Sequence, residues 1–274
     1  MSEKSSTPLR KGRVNPTARV MALTVSYNGE PFSGFARQPA QRTVQGELES
    51  ALATVMRRPV ETTGAGRTDA GVHALGQVVS FDLYEGEDPQ PHELLRSLGA
   101  LCGPHISVAE VRPAAPGFSA RFSAEAREYR YRIVPGPVAP VFLAPYAWWV
   151  KRTLDLSAMR KAAQLLVGEH DYRSFCVTDS AEGKPTTRRL ELVEVTSETD
   201  CGEHVDVVRV VGNSFLHSMV RVIVGSLAEV GTGRKPPEWV GEVLAGCDRA
   251  LAGPTAPAHG LTLWHVSYPE EMWL

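Results

Sequence analysis

Two kinds of apolar periodicity alternate along this chain, and the alternation runs twice. No other feature narrows the possible folds as much. Residues 19–29 (RVMALTVSYNG) alternate apolar with polar positions and end on an Asn-Gly turn signal. Residues 43–56 (TVQGELESALATVM) repeat at helical spacing, with Val44, Leu48, Ala51, Leu52 and Val55 on one face and Thr43 at the N-cap position. A strand over 77–83, a helix over 91–101 and a strand over 106–113 follow. After a strand over 126–134 the order returns. A helix over 156–168 is stopped by Gly168, strands cover 188–198 and 204–212, helices lie near 216–229 and 236–245, and a last strand covers 260–269. This mixture predicts an α/β or α+β protein. Residues 135–145 (PGPVAPVFLAP) hold four prolines and mark a connection between an N-terminal half, 20–134, and a C-terminal half, 146–274.

With 274 residues, 43% of them hydrophobic and 22% charged, the chain can bury a sizeable core and has the mix of a soluble globular protein. No apolar run approaches the roughly 18 residues that span a bilayer. Residues 1–19 are polar and basic, lack the apolar core of a secretory signal, and read as a disordered arm. Its Lys4, Arg10, Lys11, Arg13 and Arg19 are either a solvated tail or a contact for an anionic partner. The cysteines Cys102, Cys176, Cys201 and Cys247 are scattered without zinc-ligand spacing, as expected of reduced thiols in a cytoplasmic protein. A net charge of −2 confines any nucleic-acid site to a local basic patch.

Chemistry concentrates in GAGRTDAGVHALGQVVSF, residues 64–81. The pattern is neither a P-loop nor a dinucleotide fingerprint, and an aspartate suits neither. Nothing nearby completes a metal site or a nucleophile–histidine pair. Two readings of Asp69 remain: an ordinary turn with a capping aspartate, or a carboxylate that acts directly beside a guanidinium. Arg67, or another arginine brought in by the fold, would favour its charged form. Residues 213–233 supply one candidate, because Arg221 is embedded among Leu216, Met219, Val220, Ile223, Val224 and Leu227. An isolated charge there requires an anionic partner. In residues 118–133, Arg127, Tyr129 and Tyr131 share one strand face, with Arg130 and Arg132 on the other. Such rings either stack on an unpaired base, with the arginines on phosphates, or pack into a sheet whose arginines are solvated. Arg57, Arg58, Lys184, Arg188 and Arg189 are further candidate phosphate contacts, and His73 reads as a residue that structures the loop.

Six ordered blocks carry a resemblance: YNGEPFSGF (27–35), TVQGELESAL (43–52), GRTDAGVHALGQVVSF (66–81), ARFSAEAREYRYRI (120–133), SFLHSMVRVIVGSLAEVGTG (214–233) and APAHGLTLWHVSYP (256–269). Together the chain resembles the TruA family of tRNA pseudouridine synthases. The resemblance implies the pseudouridine synthase fold, an α+β architecture of two similar halves. Each half has a mainly antiparallel sheet with helices on one side, and the active cleft lies between them. It implies homodimers that use no cofactor or metal, stay off membranes, and convert uridine to pseudouridine at positions 38, 39 and 40 of the tRNA anticodon stem-loop. It places the catalytic nucleophile on Asp69 and its partner on Arg221. The aromatic that packs on the target base falls on Tyr129, the residue that helps extrude the nucleotide on Arg67, and a base-pocket residue on Leu261. In one block the chain departs from the family, carrying Gly34-Phe35-Ala36-Arg37 where a glycine–tryptophan pair and a glutamine are usual, in a region expected to touch RNA. The other readings the sequence leaves open are a non-catalytic RNA-binding module, a carboxylate glycosidase, which needs a second acid, and a synthase acting on another RNA.

Overall fold

The structure, a computed structural model, describes residues 19–177 and 183–274. The first 18 residues of the basic arm, with Lys4, Arg10, Lys11 and Arg13, lie outside the described residues. Arg19 opens the described chain, where it donates to Asp88 Oδ1 at 2.7 Å and to the Glu87 carbonyl.

The strands are β1 (Val20–Tyr27), β2 (Thr63–Gly64), β3 (His73–Asp82), β4 (Ile106–Ala114), β5 (Ala126–Pro135), β6 (Trp148–Val150), β7 (Gly168–Asp171), β8 (Thr187–Asp200), β9 (Glu203–Gly212) and β10 (Leu261–Ser267). They form one sheet in the order β4-β1-β3-β10-β5-β9-β8-β7, with β2 on β3 and β6 on β5. Only the β10–β3 and β5–β6 pairs are parallel. The α+β architecture with a mainly antiparallel sheet is therefore the one expected. β10, from the end of the chain, lies between β3 and β5, so the sheet is continuous across both halves.

The helices among the described residues are α1 (Val44–Met56), α2 (Pro91–Cys102), α3 (Leu156–Gln164), α4 (Met219–Gly231) and α5 (Trp239–Gly246). α1 starts where its cap predicts, Thr43 Oγ1 accepting from Gly46 N at 3.2 Å. Its buried face holds Val44, Leu48, Ala51 and Leu52, and also Glu49. That carboxylate is satisfied by the amide and hydroxyl of Thr62 and by Arg37, so it tethers the helix to the segment before β2. α3 is shorter than its pattern predicts. Its C-cap is Leu165, and Gly168 instead opens β7 at φ +123°. A positive-φ glycine therefore turns the chain into a strand here. α4 is buried on nearly every side, the central rod of the core.

Candidate active site

The loop between β2 and β3 hangs from buried polar groups. Ala65 N donates to Val78 O at 2.8 Å, and Gln77, fully buried, donates from Nε2 to Gly66 O at 2.9 Å. The Tyr27 hydroxyl meets Thr68 Oγ1 at 2.8 Å, and Phe35 N donates to Thr68 O at 3.1 Å. Gly71 takes φ +76°, a turn that a side chain would strain. Gly64 is required for a different reason: a Cβ there would overlap the ring of Phe35. Phe35 is 2% exposed. Phe35, in the block that departs from the family pattern, is thus packed beneath the loop. At that edge Arg37 is exposed, though tied to Glu49.

Asp69 is presented at the loop's outer end, and a residue 152 positions away reaches it. Arg221, two residues into α4, donates from Nη1 to Asp69 Oδ2 at 2.8 Å and from Nε to the Ala256 carbonyl at 2.8 Å. Its expected anionic partner is therefore Asp69. Sequence reasoning missed two further neighbours of the carboxylate. Ser218 Oγ donates to the same Oδ2 at 2.7 Å, and His217 Nε2 stands 3.4 Å from Oδ1. Both lie in the FLHSMVR stretch, but a serine and a histidine before a buried helix carry no signal of what they will face.

β5 divides its aromatic and basic residues sharply. Tyr131 is fully buried and donates to Pro257 O, and Arg127 is spent on the carbonyls of Ala65, Arg121, Ala124 and Asn213. Both are packing residues. Tyr129 reaches the loop nearer Asp69: a Cβ on Gly66 would lie 3.7 Å from its hydroxyl, and its ring meets Phe215 at 5.0 Å. Burial first, then the neighbouring Tyr27, and more weakly Asp69, push the Tyr129 phenol above its ordinary range, so it stays protonated. Burial likewise pushes Tyr27 up to about 12. Leu261, buried, begins β10 opposite Tyr131. Arg67 is exposed, and the arginine paired with Asp69 is Arg221.

The other sequence-selected cations are mostly occupied. Arg58 grips Glu87, Arg130 pairs with Glu128, and Arg132 stands 3.4 Å from Asp200. Arg57 and Arg189 are exposed. His73 accepts from Gly29 N at Nδ1, which leaves Nε2 to donate to the carbonyls of Pro145 and His259. That is the loop-structuring role its sequence suggested. Among the described residues no three histidine, cysteine or carboxylate side chains converge as a metal site. No described helix is long and apolar enough to cross a membrane. A concavity of about 750 Å³ at the far end of α4, lined by Leu154, Asp155, Thr232 and Lys235, contains none of the residues around Asp69.

With this geometry in hand, comparison with known proteins defines the class. The family described as tRNA pseudouridine synthase matches residues 23–122 and 162–269, and the chain belongs to that family; it is an isomerase. At closer range it is 47% identical over 255 residues to tRNA pseudouridine synthase A of Frankia casuarinae, covering 92% of this chain and 90% of the relative. It is 45% identical over 249 residues to the enzyme of the same name from Brevibacillus brevis, covering 90% and 99%. The protein of that name from Geobacillus kaustophilus is 41% identical over 256 residues, covering 93% and 96%.

Proposed function

We infer that this protein isomerises uridine to pseudouridine in tRNA, at positions 38, 39 and 40 of the anticodon stem-loop, as a cytoplasmic homodimer without cofactor. The observation that carries the reading is the meeting of Asp69 with Arg221 across 152 residues of sequence, beside Tyr129, in a chain of this family. The reaction breaks the N1–C1′ bond, turns the uracil and joins C5 to C1′; C5 gives up its proton to solvent and N1 takes one, so the product is an isomer of the substrate. The target nucleotide must leave its helix, at roughly a few kcal/mol. Asp69 then acts on it directly, by attack at C6, by attack at C1′, or by taking a ribose proton. Arg221 and Ser218 hold the carboxylate in place, which is positioning before the chemistry begins. Tyr129 packs on the base, its phenol held neutral by burial. Arg67, exposed one residue before Thr68, helps extrude the nucleotide, and Leu261 lines the base pocket. Arg57 and Arg189, both exposed, meet phosphates.

Asp69→Asn, assayed with purified tRNA by release of tritium from C5, tests this reading. The expected variant binds tRNA and releases no tritium; a rate near wild type rejects Asp69 as the acting group.

A further inference from the structure

Ser218 is built against its own local interest. It is the N-cap of α4, yet its side chain caps nothing: the hydroxyl that would satisfy a free helix amide is turned onto Asp69. Its backbone sits at φ +58°, ψ +11°, in the left-handed region that an ordinary side chain enters at a penalty. Both sacrifices serve one contact, the 2.7 Å hydrogen bond to Asp69 Oδ2. The same oxygen receives Arg221 Nη1 at 2.8 Å. With two donors on Oδ2, the two oxygens of the carboxylate are no longer equivalent. Oδ1 accepts no hydrogen bond among the described residues, and the cationic side chain within ion-pair range of it is His217, whose Nε2 stands at 3.4 Å on a half-exposed side chain.

We propose that Ser218 is a positioning residue that fixes which oxygen of Asp69 reacts. By clamping Oδ2 together with Arg221, it offers Oδ1 to the flipped nucleotide, and His217 is the displaceable neighbour that the incoming nucleotide moves aside. This rests on Asp69 acting on the nucleotide, as inferred above, and holds for any of the three routes. A carboxylate held by Arg221 alone can rotate about its Cβ–Cγ bond and present either oxygen. A second donor on the same oxygen removes that freedom, and small losses of alignment weigh heavily on rate.

The test uses Ser218→Gly, Ser218→Ala, His217→Ala and Asp69→Asn in the full chain, with a tRNA transcript as substrate. Single-turnover tritium release, tRNA affinity and thermal midpoint are each measured. Glycine adopts positive φ freely and is nearly as good an N-cap as serine, so a merely structural Ser218 has nothing to lose by this change. The expected Ser218→Gly has a midpoint near wild type, relief of the backbone strain offsetting the lost hydrogen bond, tRNA affinity within about twofold, and a single-turnover rate reduced on the order of tenfold or more. Ser218→Ala keeps the strain and loses the hydroxyl, and is slowed by a similar factor. His217→Ala stays within about threefold of the wild-type rate, because the substrate moves the imidazole aside in any case. A Ser218→Gly rate within twofold of wild type overturns the proposal, as does His217→Ala slowed as much as the serine variants. Asp69→Asn separates the two claims. If it is inactive while Ser218→Gly is normal, only the role of Ser218 falls; if it is active, the reading of Asp69 falls first.

Discussion

Arg221 divides its guanidinium between two tasks, and each nitrogen has its own acceptor. Nη1 holds Asp69 and Nε holds the Ala256 carbonyl, so one planar fork sets the distance between α4, the glycine loop and the segment before β10. A lysine supplies charge from a single point and cannot make both contacts at fixed spacing. Arg221→Lys should therefore lose about 1.5–3 kcal/mol of stability, the worth of a hydrogen bond to a charged group. It should lose activity by on the order of tenfold or more while still binding tRNA. Urea unfolding and single-turnover assays measure the two losses separately. Asp69 and Arg221 were legible in the sequence because each sits where its charge needs explaining, one in a bare loop and the other in an apolar run. The choice among Arg127, Tyr129 and Tyr131 was not legible. Strand alternation assigns all three to one face and all three are buried, but only the loops packed over that face decide that Arg127 is spent on carbonyls and Tyr131 on Pro257 while Tyr129 feels the charge of Asp69.

α4 turns a local helix into part of the site by lying directly on residues 253–256. Gly253 N donates to Ser226 Oγ at 3.0 Å, and Ala256 N donates to the Arg221 carbonyl at 3.1 Å. At Gly225 a Cβ would overlap the Pro254 carbonyl oxygen, which is backbone and cannot swing away. Alanine in a helix interior is normally better than glycine by about 1 kcal/mol. Here the overlap reverses that sign, and Gly225→Ala should lose roughly 2–3 kcal/mol. Because Pro254 leads to the carbonyl that orients Arg221, activity should fall beyond what unfolding explains. Thermal unfolding and the specific activity of the folded fraction check this; a stabilised variant would mean that the helix and the segment are not packed so closely. At this scale, element identity was legible from periodicity and caps, Thr43 being the clearest case. Boundaries set by tertiary contacts were not. β3 begins at His73, four residues before its apolar run, because the earlier residues are drawn into pairing with β10.

The order of strands across the whole molecule lies beyond local pattern, since β10 is inserted between β3 and β5 by contacts spanning well over 100 residues. His73 stands at that insertion, where its ring joins Gly29, Pro145 and His259. One segment follows β1, one ends the proline-rich connection and one immediately precedes β10, so a single imidazole pins three distant parts of the chain. The geometry demands the neutral form, because Nδ1 must accept the Gly29 amide. Burial, partly offset by the carbonyls at Nε2, lowers the His73 pKa below its ordinary 6.5. The sign of the linkage follows. The unfolded chain takes up a proton at this site more readily than the folded one, so the stability His73 contributes is full above pH 6.5 and is lost as pH falls through the lowered folded value. The lowered carboxylates Glu87 and Glu128 titrate below their ordinary 4.5, beneath this window. Urea unfolding should therefore show stability falling from pH 7.5 to 5.5, by at most about 1.4 kcal/mol per pH unit for a single proton. His73→Gln keeps a neutral side chain with an acceptor and a donor. It should be less stable than wild type at pH 7.5 and should lose less on acidification, so that the two stabilities converge toward pH 5.5. Parallel pH profiles for the two proteins would show instead that the imidazole takes up its proton without leaving Gly29, and that the pin across the insertion is not pH-sensitive.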